Sequence, residues 1–149
     1  MYFEEAELGR RFRTPGRTVT EAEIVAFAGS YDAQSLHLDA DWAAMGPFGG
    51  LIASGFHTLC LAWSLWLRTG ALEGTSRGGI GMDEVRWTKP VRPGDTLTSE
   101  VEVVDRSAAA KRGRGRVVLQ HTVRNQHGEV VLTFRALALI ASRGEADHG

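Results

Sequence analysis

The chain has 149 residues, 43% of them hydrophobic and 23% charged, an ordinary composition for one globular domain with a sizeable core. A formal net charge of −1 excludes an electrostatic case for nucleic acid as the main partner. The single cysteine, Cys60, excludes an intramolecular disulfide and fits a reducing cytoplasm. The most apolar run, residues 51–67, is short for a membrane span and contains polar residues. We therefore expect one cytoplasmic domain over residues 1–149, with no membrane contact and a disordered tail at 143–149.

The N-terminal part of the chain predicts a short strand and then two helices. The polar stretch "RRFRTPGRTVT" is broken by Pro15-Gly16, which suits a short strand or an edge segment. Thr20 is a candidate N-cap with Glu23 at N3, a capping-box pattern before an apolar set. We expect that helix to end near Gly29-Ser30. Asp39 opens a second, short helix, and "GPFGG" ends it.

A long apolar helix and four alternating segments make up the rest of the chain. The helix runs from about Ser54 to Arg68, and Gly128 lies in a hairpin turn before the last segment. The alternating segments are residues 81–91, 95–105, 115–125 and 129–142. A helix that is apolar almost all round has to be enclosed, and strands with one apolar face can enclose it. The expected fold class is therefore α+β, a hotdog fold with a curled antiparallel sheet around a long central helix.

The stretch "YDAQSLHLD" carries a possible acid–base pair. Asp32 and His37 are five residues apart, so on a regular helix they would point about 140° away from each other. They converge only if the chain leaves helical geometry between them, and Gly29-Ser30 with the polar "AQS" allows such a break. A carboxylate and an imidazole on one loop can hold a water for general acid–base catalysis. The alternative is that Asp32 caps a turn and His37 packs against the short helix.

The predicted start of the long helix is a second candidate element of a site. Gly55 and Phe56 would offer unpaired backbone N–H groups at the positive end of the helix dipole. Such a terminus can bind a carbonyl oxygen as negative charge develops on it. The alternative is that Ser54 is only an N-cap, which would carry no functional information.

Several conspicuous side chains have structural interpretations. His57 lies about 200° from Gly55 on a helix, so we expect it to face away from the same substrate atom. His121 lies on an apolar strand face, as expected of a satisfied core or interface histidine. Cys60 is interpreted as a small buried hydrophobe. The tryptophans at 63 and 66 suit core or dimer packing. No Cys, His or carboxylate cluster has metal-ligand spacing, so no metal is expected.

Two groups of basic residues could contact phosphates. The run "KRGRGR", residues 111–116, suits a solvated hairpin loop better than a phosphate site. The second group is Arg86, Lys89 and Arg92, around the stretch "WTKPVRPGD". The glycines at 113 and 115 lack the strand–helix context of a phosphate-binding loop.

Three ordered motifs, "DAQSLHLD", "FGGLIASGFHT" and "VRWTKPVRPGDTL", resemble those of the MaoC-like dehydratases, the (R)-specific enoyl-CoA hydratase family. The resemblance covers nearly the whole chain, including the closing strand "GEVVLTF". It implies a homodimeric hotdog protein that adds water reversibly, in syn geometry, across a trans-2-enoyl thioester. It implies no cofactor, because the coenzyme A or acyl carrier protein thioester is itself the substrate.

The resemblance also assigns roles to particular residues. Asp32 and His37 would hold the water that adds to the β-carbon, with the formal base left open between them. Gly55 would polarise the thioester carbonyl through its backbone N–H. The substrate-binding set that it implies comprises Ser54, Phe56, Gln34, Gly50 and Phe48, with the acyl tunnel near the last two and Phe56.

This chain departs from the family pattern at both motifs. Gln34-Ser35 replaces the usual Asn-Pro, which leaves the loop less rigid and lengthens the reach of the amide by one methylene. Ser54-Gly55-Phe56 replaces a frequent His-Gly-Met, so the identity of the acyl group stays open.

Two other functions stay under consideration. A hotdog acyl-CoA thioesterase would carry a carboxylate on the central helix, but residues 54–67 contain no Asp or Glu. A non-catalytic acyl-thioester-binding subunit would be favoured had only one of Asp32 and His37 been present. A homodimer or higher homo-oligomer is expected, since a monomer would expose a strand edge and apolar surface.

Overall fold

The alternating segments form an antiparallel sheet in a computed structural model, which describes residues 1–109 and 113–143. The strand order is β1-β4-β5-β6-β3, and the short β2 pairs with β4. Register shifts in β3 and β4 mark irregularities that help the sheet to curl. The strands are β1 Arg11–Arg13, β2 Arg17–Thr18, β3 Ser76–Trp87, β4 Thr96–Ala108, β5 Arg114–Arg124 and β6 Val130–Ala141.

The predicted helices are present, with two differences at their ends. Helix α1, Glu21–Tyr31, begins after Thr20, whose Oγ1 accepts a hydrogen bond from the Glu23 N–H at 3.2 Å. The Glu23 carboxylate binds Arg17 instead of completing the capping box. The helix continues through Gly29-Ser30, where we predicted its end. A short helix, α2, Ser35–Leu38, was not predicted.

The next two helices match the sequence patterns. Helix α3, Ala40–Met45, begins after Asp39, whose Oδ1 accepts from the Trp42 N–H at 3.0 Å. Helix α4, Gly55–Leu67, has Ser54 as its N-cap and spans 13 residues. None of the helices in residues 1–109 and 113–143 is long and apolar enough to cross a membrane.

One side of α4 packs into the concave face of the sheet, so the α+β hotdog arrangement is confirmed. Trp66 and Leu65 on α4 are fully buried, together with Phe134 and Leu119 from the strands. The predicted apolar strand faces are correct, and Gly128 adopts φ of 74° in its hairpin turn. The sheet therefore supplies the wall against which α4 packs.

His121 lies in this core, but it is not the satisfied histidine that we expected. Its ring stacks on Phe134, with centroids 4.2 Å apart, and lies edge-on to Trp66. Neither ring nitrogen has a hydrogen-bond partner in the part of the chain that the structure describes. Burial alone lowers the pKa of His121 to about 3, because a charged imidazolium would lose its hydration there.

The other side of α4 is exposed in the single chain, so the helix is not enclosed all round as predicted. Phe56 and Leu67 are among the exposed large hydrophobic residues, and Cys60 is exposed rather than buried. Trp63 is partly buried and packs against the core. The prediction for Cys60 was wrong because the sequence pattern does not show how far the sheet extends around the helix.

Strand β3 forms a long edge of the sheet. It begins at Ser76 and ends at Trp87, whereas the pattern predicted residues 81–91. Only Val85 along it is partly buried. In the predicted tail, Arg143 donates its backbone N–H to Glu4, and residues 144–149 lie outside the described residues.

Candidate active site

A break between α1 and α2 brings Asp32 and His37 together. Asp32 is the C-cap of α1, with φ −154° and ψ 67°, and Gln34 is extended before α2 begins. The His37 Nε2 atom lies 3.3 Å from Asp32 Oδ2. The two side chains therefore converge because the chain leaves helical geometry at residues 32–34, a little later than the sequence suggested.

Two donors hold the Asp32 carboxylate. Gln34 Nε2 donates to Oδ1 at 2.6 Å, and Ser54 Oγ donates to Oδ2 at 2.7 Å. These hydrogen bonds, that from Gln34 foremost, lower the pKa of Asp32, while desolvation opposes them. Asp32 is therefore ionised near neutral pH. Gln34 keeps the amide of the family motif on a side chain one methylene longer, and that amide fixes the carboxylate.

His37 has a defined tautomer. Its Nδ1 atom lies 2.6 Å from the carbonyl oxygen of Ile52, and a carbonyl only accepts, so Nδ1 carries the hydrogen and donates it. Nε2 is then the ring nitrogen that faces the Asp32 carboxylate. The imidazole is buried, so its orientation is fixed by the Ile52 backbone and by packing. His37 lies on α2 itself, and its Nε2 atom faces the Asp32 carboxylate.

The start of α4 lies beside this pair. Ser54 Oγ accepts the N–H of Phe56 at 3.2 Å, so the Phe56 amide is not free, contrary to expectation. The Gly55 N–H makes no hydrogen bond within the described residues. A free N–H at the positive end of a helix can bind an oxygen that gains negative charge. Ser54 itself is completely buried. Its hydroxyl donates to Asp32, and the residue does not line the cavity.

The pair and the helix terminus face one cavity of about 470 Å³. Of the predicted substrate-binding residues, Gln34, Phe48 and Phe56 line it. Gly50 does not: it lines a second groove together with Arg92. The cavity lining is Asp32, Gln34, His37, Phe48, Ile52, Ala53, Gly55, Phe56, Thr58, Trp87, Thr88, Lys89, Pro90 and Val91.

Sequence reasoning missed Trp87 as a cavity residue. Its Nε1 donates to the carbonyl oxygen of Gly55 at 2.8 Å, across 32 residues of sequence. The motif "VRWTKPV" contains this tryptophan, but a strand pattern does not show which helix the end of the strand meets. Thr58 is also a cavity residue that the sequence did not indicate.

The basic candidates and His57 differ in whether they line the cavity. Lys89 lines it and is paired with Glu129, while Arg92 lies in the second groove. Arg86 is exposed and donates to the Val85 carbonyl. His57 stacks on Phe27 at 4.8 Å and is absent from the cavity lining, as predicted, and burial lowers its pKa.

The other basic run gives little support for a phosphate site. Arg116 lies on β5 and pairs with Asp105 at 3.0 Å, and Lys111 and Arg112 lie outside the described residues. Within residues 1–109 and 113–143, no group of three or more His, Cys, Asp or Glu side chains could hold a metal ion.

A curled sheet packed on one helix, with an Asp–His pair beside the helix N-terminus, defines a hotdog protein with a candidate acid–base site. The profile of the family described as "MaoC like domain" matches residues 4–125. The chain therefore belongs to the MaoC-like dehydratase family.

Individual relatives agree with this assignment. The 3-hydroxybutyryl-CoA dehydratase of Methylorubrum extorquens is 32% identical, over 99% of this chain and 88% of its own length. The crystal structure of a MaoC-like dehydratase from Rhodospirillum rubrum superposes with a TM-score of 0.89, at 35% identity, covering 97% of this chain and 99% of that one. An (R)-hydratase from A. caviae involved in PHA biosynthesis gives a TM-score of 0.73 at 28% identity, covering 91% and 97%.

Proposed function

We propose that this protein is an acyl-CoA dehydratase of the (R)-specific enoyl-CoA hydratase type, which adds water reversibly across a trans-2-enoyl thioester. The observation that carries the proposal is the 3.3 Å approach of His37 Nε2 to the Asp32 carboxylate beside the free Gly55 N–H, all facing one cavity. Relatives named as a 3-hydroxybutyryl-CoA dehydratase and an (R)-hydratase support the same reaction class.

The two acceptors suit the activation of one water. The ionised Asp32 accepts one hydrogen of the water, and His37 Nε2 accepts the other, since Nδ1 is committed to Ile52. The water oxygen then points its lone pairs at the β-carbon. One of the pair takes a proton from the water as the C–O bond forms, and the same group returns that proton to the α-carbon from the same side. The elements of one water are thus added in syn geometry.

The N-terminus of α4 suits stabilisation of the charge that forms on the thioester oxygen. Attack at the β-carbon shifts electrons toward the carbonyl and produces an enolate-like oxygen. The Gly55 N–H lies beside the Asp32–His37 pair and lines the same cavity, so it can donate to that oxygen. Neither step needs a cofactor, because water and the thioester are the only reactants.

The test is hydration of crotonyl-CoA, followed by loss of the enoyl-thioester absorbance, with chiral analysis of the product. We expect (R)-3-hydroxybutyryl-CoA and, in D₂O, deuterium added to the α-carbon on the face that receives oxygen. Release of free coenzyme A thiol instead would identify a thioesterase. Binding without turnover of crotonyl, longer or branched enoyl-CoAs would identify a non-catalytic subunit, and either result would overturn the proposal.

A second copy of the chain is proposed as the partner that covers β3 and the exposed side of α4. Ile80 and Met82 on β3 are 54% and 38% exposed, and an uncovered edge strand with apolar side chains favours association. Sedimentation equilibrium should give twice the 16.2 kDa chain mass. Ile80→Glu should shift the protein to monomer, whereas Thr98→Glu on the polar face of β4 should not. A monomeric wild type at micromolar concentration would contradict this proposal.

A further inference from the structure

Trp87 contacts the first turn of α4. The indole Nε1–H donates to the Gly55 carbonyl oxygen at 2.8 Å, and the ring lies edge-on to Phe56, with centroids 6.0 Å apart. Trp87 also lines the cavity. It is about half exposed, so burial of its ring in the core does not account for its position.

The backbone under Trp87 is firmly attached to the sheet. Trp87 pairs with Leu132 on β6, the Thr88 N–H donates to the Val131 carbonyl at 3.0 Å, and Thr88 Oγ1 donates to Val130 at 2.6 Å. The indole therefore connects the end of β3 to the N-terminus of α4 through a single hydrogen bond and a close packing contact.

The packing contact explains why position 55 is glycine. A Cβ built on Gly55 would lie 2.5 Å from Trp87 Cε2 and 2.6 Å from Nε1, closer than real Cβ contacts. The backbone itself does not require glycine, because Gly55 has an ordinary helical conformation without positive φ. The indole, and not the backbone, excludes a side chain there.

We propose that Trp87 is a positioning residue for the Gly55 amide, which it holds at a fixed distance from the Asp32–His37 pair. This inference rests on the proposed function, in which that amide stabilises the enolate oxygen. Ser54 ties one end of the 54–55 peptide segment to Asp32, and Trp87 ties the Gly55 carbonyl to β3. Two anchors restrict the first turn, which would otherwise fray. A displaced donor loses stabilisation of the transition state more than of the bound substrate.

The experiment is a double-mutant cycle on kcat and KM for crotonyl-CoA, with Gly55→Ala, Trp87→Ala and the combination. In the wild-type background, Gly55→Ala should lower kcat/KM by about 100-fold or more, because the methyl group displaces the indole and the first turn. In the Trp87→Ala background the same change should cost less than about tenfold, since the space is then open.

Trp87→Phe separates positioning from packing. It keeps an aromatic ring but removes the N–H donor, so kcat should fall by about tenfold while KM stays within about twofold. Trp42→Phe, at an exposed tryptophan of α3 outside the cavity lining, is the matched control and should leave both constants unchanged.

The outcomes are distinguishable from failure of the proposed function. An active wild type with additive effects of Gly55→Ala and Trp87→Ala, or with a Trp87→Phe change confined to KM, would overturn the inference alone. A wild type that hydrates no enoyl-CoA would overturn the proposed function, and the positioning role with it. In that case, thermal unfolding of the wild type, Gly55→Ala, Trp87→Ala and the double variant still measures whether residues 55 and 87 are sterically coupled.

Discussion

Asp32→Asn and His37→Gln should each lower kcat for crotonyl-CoA hydration by at least about two orders of magnitude, the range that positioned general acids and bases supply. Asparagine keeps the shape of Asp32 but loses the charge and one acceptor for water. Glutamine at 37 removes the ring nitrogen that shares the same water. Because the two side chains are 3.3 Å apart and share one water in the proposed mechanism, the double variant should be hardly slower than the worse single variant.

Asp41→Asn and His127→Gln are the matched controls, since both residues are exposed and neither lines the cavity. They should retain wild-type kcat. Thermal unfolding of every variant excludes a folding defect as the cause of lost activity. Robust wild-type turnover with unaffected Asp32 and His37 variants would show that residues 31–39 form only a structural turn, and the mechanism would be wrong.

The second large effect concerns stability in acid and originates at His121. Its pKa in the folded protein is about 3, against about 6.5 when exposed. Above pH 6.5 the ring is neutral in both states and causes no pH dependence. As the pH falls from 6.5 toward 3, His121 is protonated in the unfolded chain but not in the folded one. The free energy of unfolding therefore decreases. Between pH 7 and pH 4 this residue should cost about 3 kcal/mol.

His121→Leu should remove that component of the acid loss. Leucine has a similar volume, no titratable group and no unpaired nitrogen, so the variant should also be more stable at pH 4. The measurement is urea unfolding at pH 7, 6, 5 and 4 at one protein concentration, with the variant subtracted from the wild type. The exposed imidazole of His127 provides the control: His127→Gln should leave the pH dependence unchanged. Parallel curves for wild type and His121→Leu would contradict the prediction.

The sequence predicts those parts of the fold that are fixed by local patterns. Helix α4 was predicted within a residue at each end, because Ser54 caps it and an apolar run fills it. The alternating faces of β5 and β6 also follow directly from period two. The sequence predicts that Asp32 and His37 converge only if the chain leaves helical geometry between them. It does not predict the break itself, since the backbone angles at Asp32 depend on how α1 and α2 pack together.

The unpredicted features depend on contacts between distant segments. The hydrogen bond from Trp87 to Gly55 joins the end of a strand to the start of a helix. The hydrophobic periodicity of the sequence does not predict which strand end contacts which helix. Gly50 was assigned to the tunnel because it is close in sequence to Phe48 and Phe56, but it lines a different groove, because closeness in sequence does not show which groove a loop residue faces. The Phe56 amide was counted as free because the pattern identifies Ser54 as a cap without showing which amide its hydroxyl accepts.

Ser54 combines a structural role and a role at the candidate site in one side chain. One hydroxyl both accepts the first-turn amide of α4 and donates to Asp32. A substitution at position 54 therefore lowers the melting temperature and the turnover number together. The usual trade-off, in which a mutation raises stability at the expense of activity, does not apply at this position. For directed evolution this makes position 54 a poor place to gain robustness. It also means that selection for heat tolerance alone would preserve the geometry of the Asp32 carboxylate.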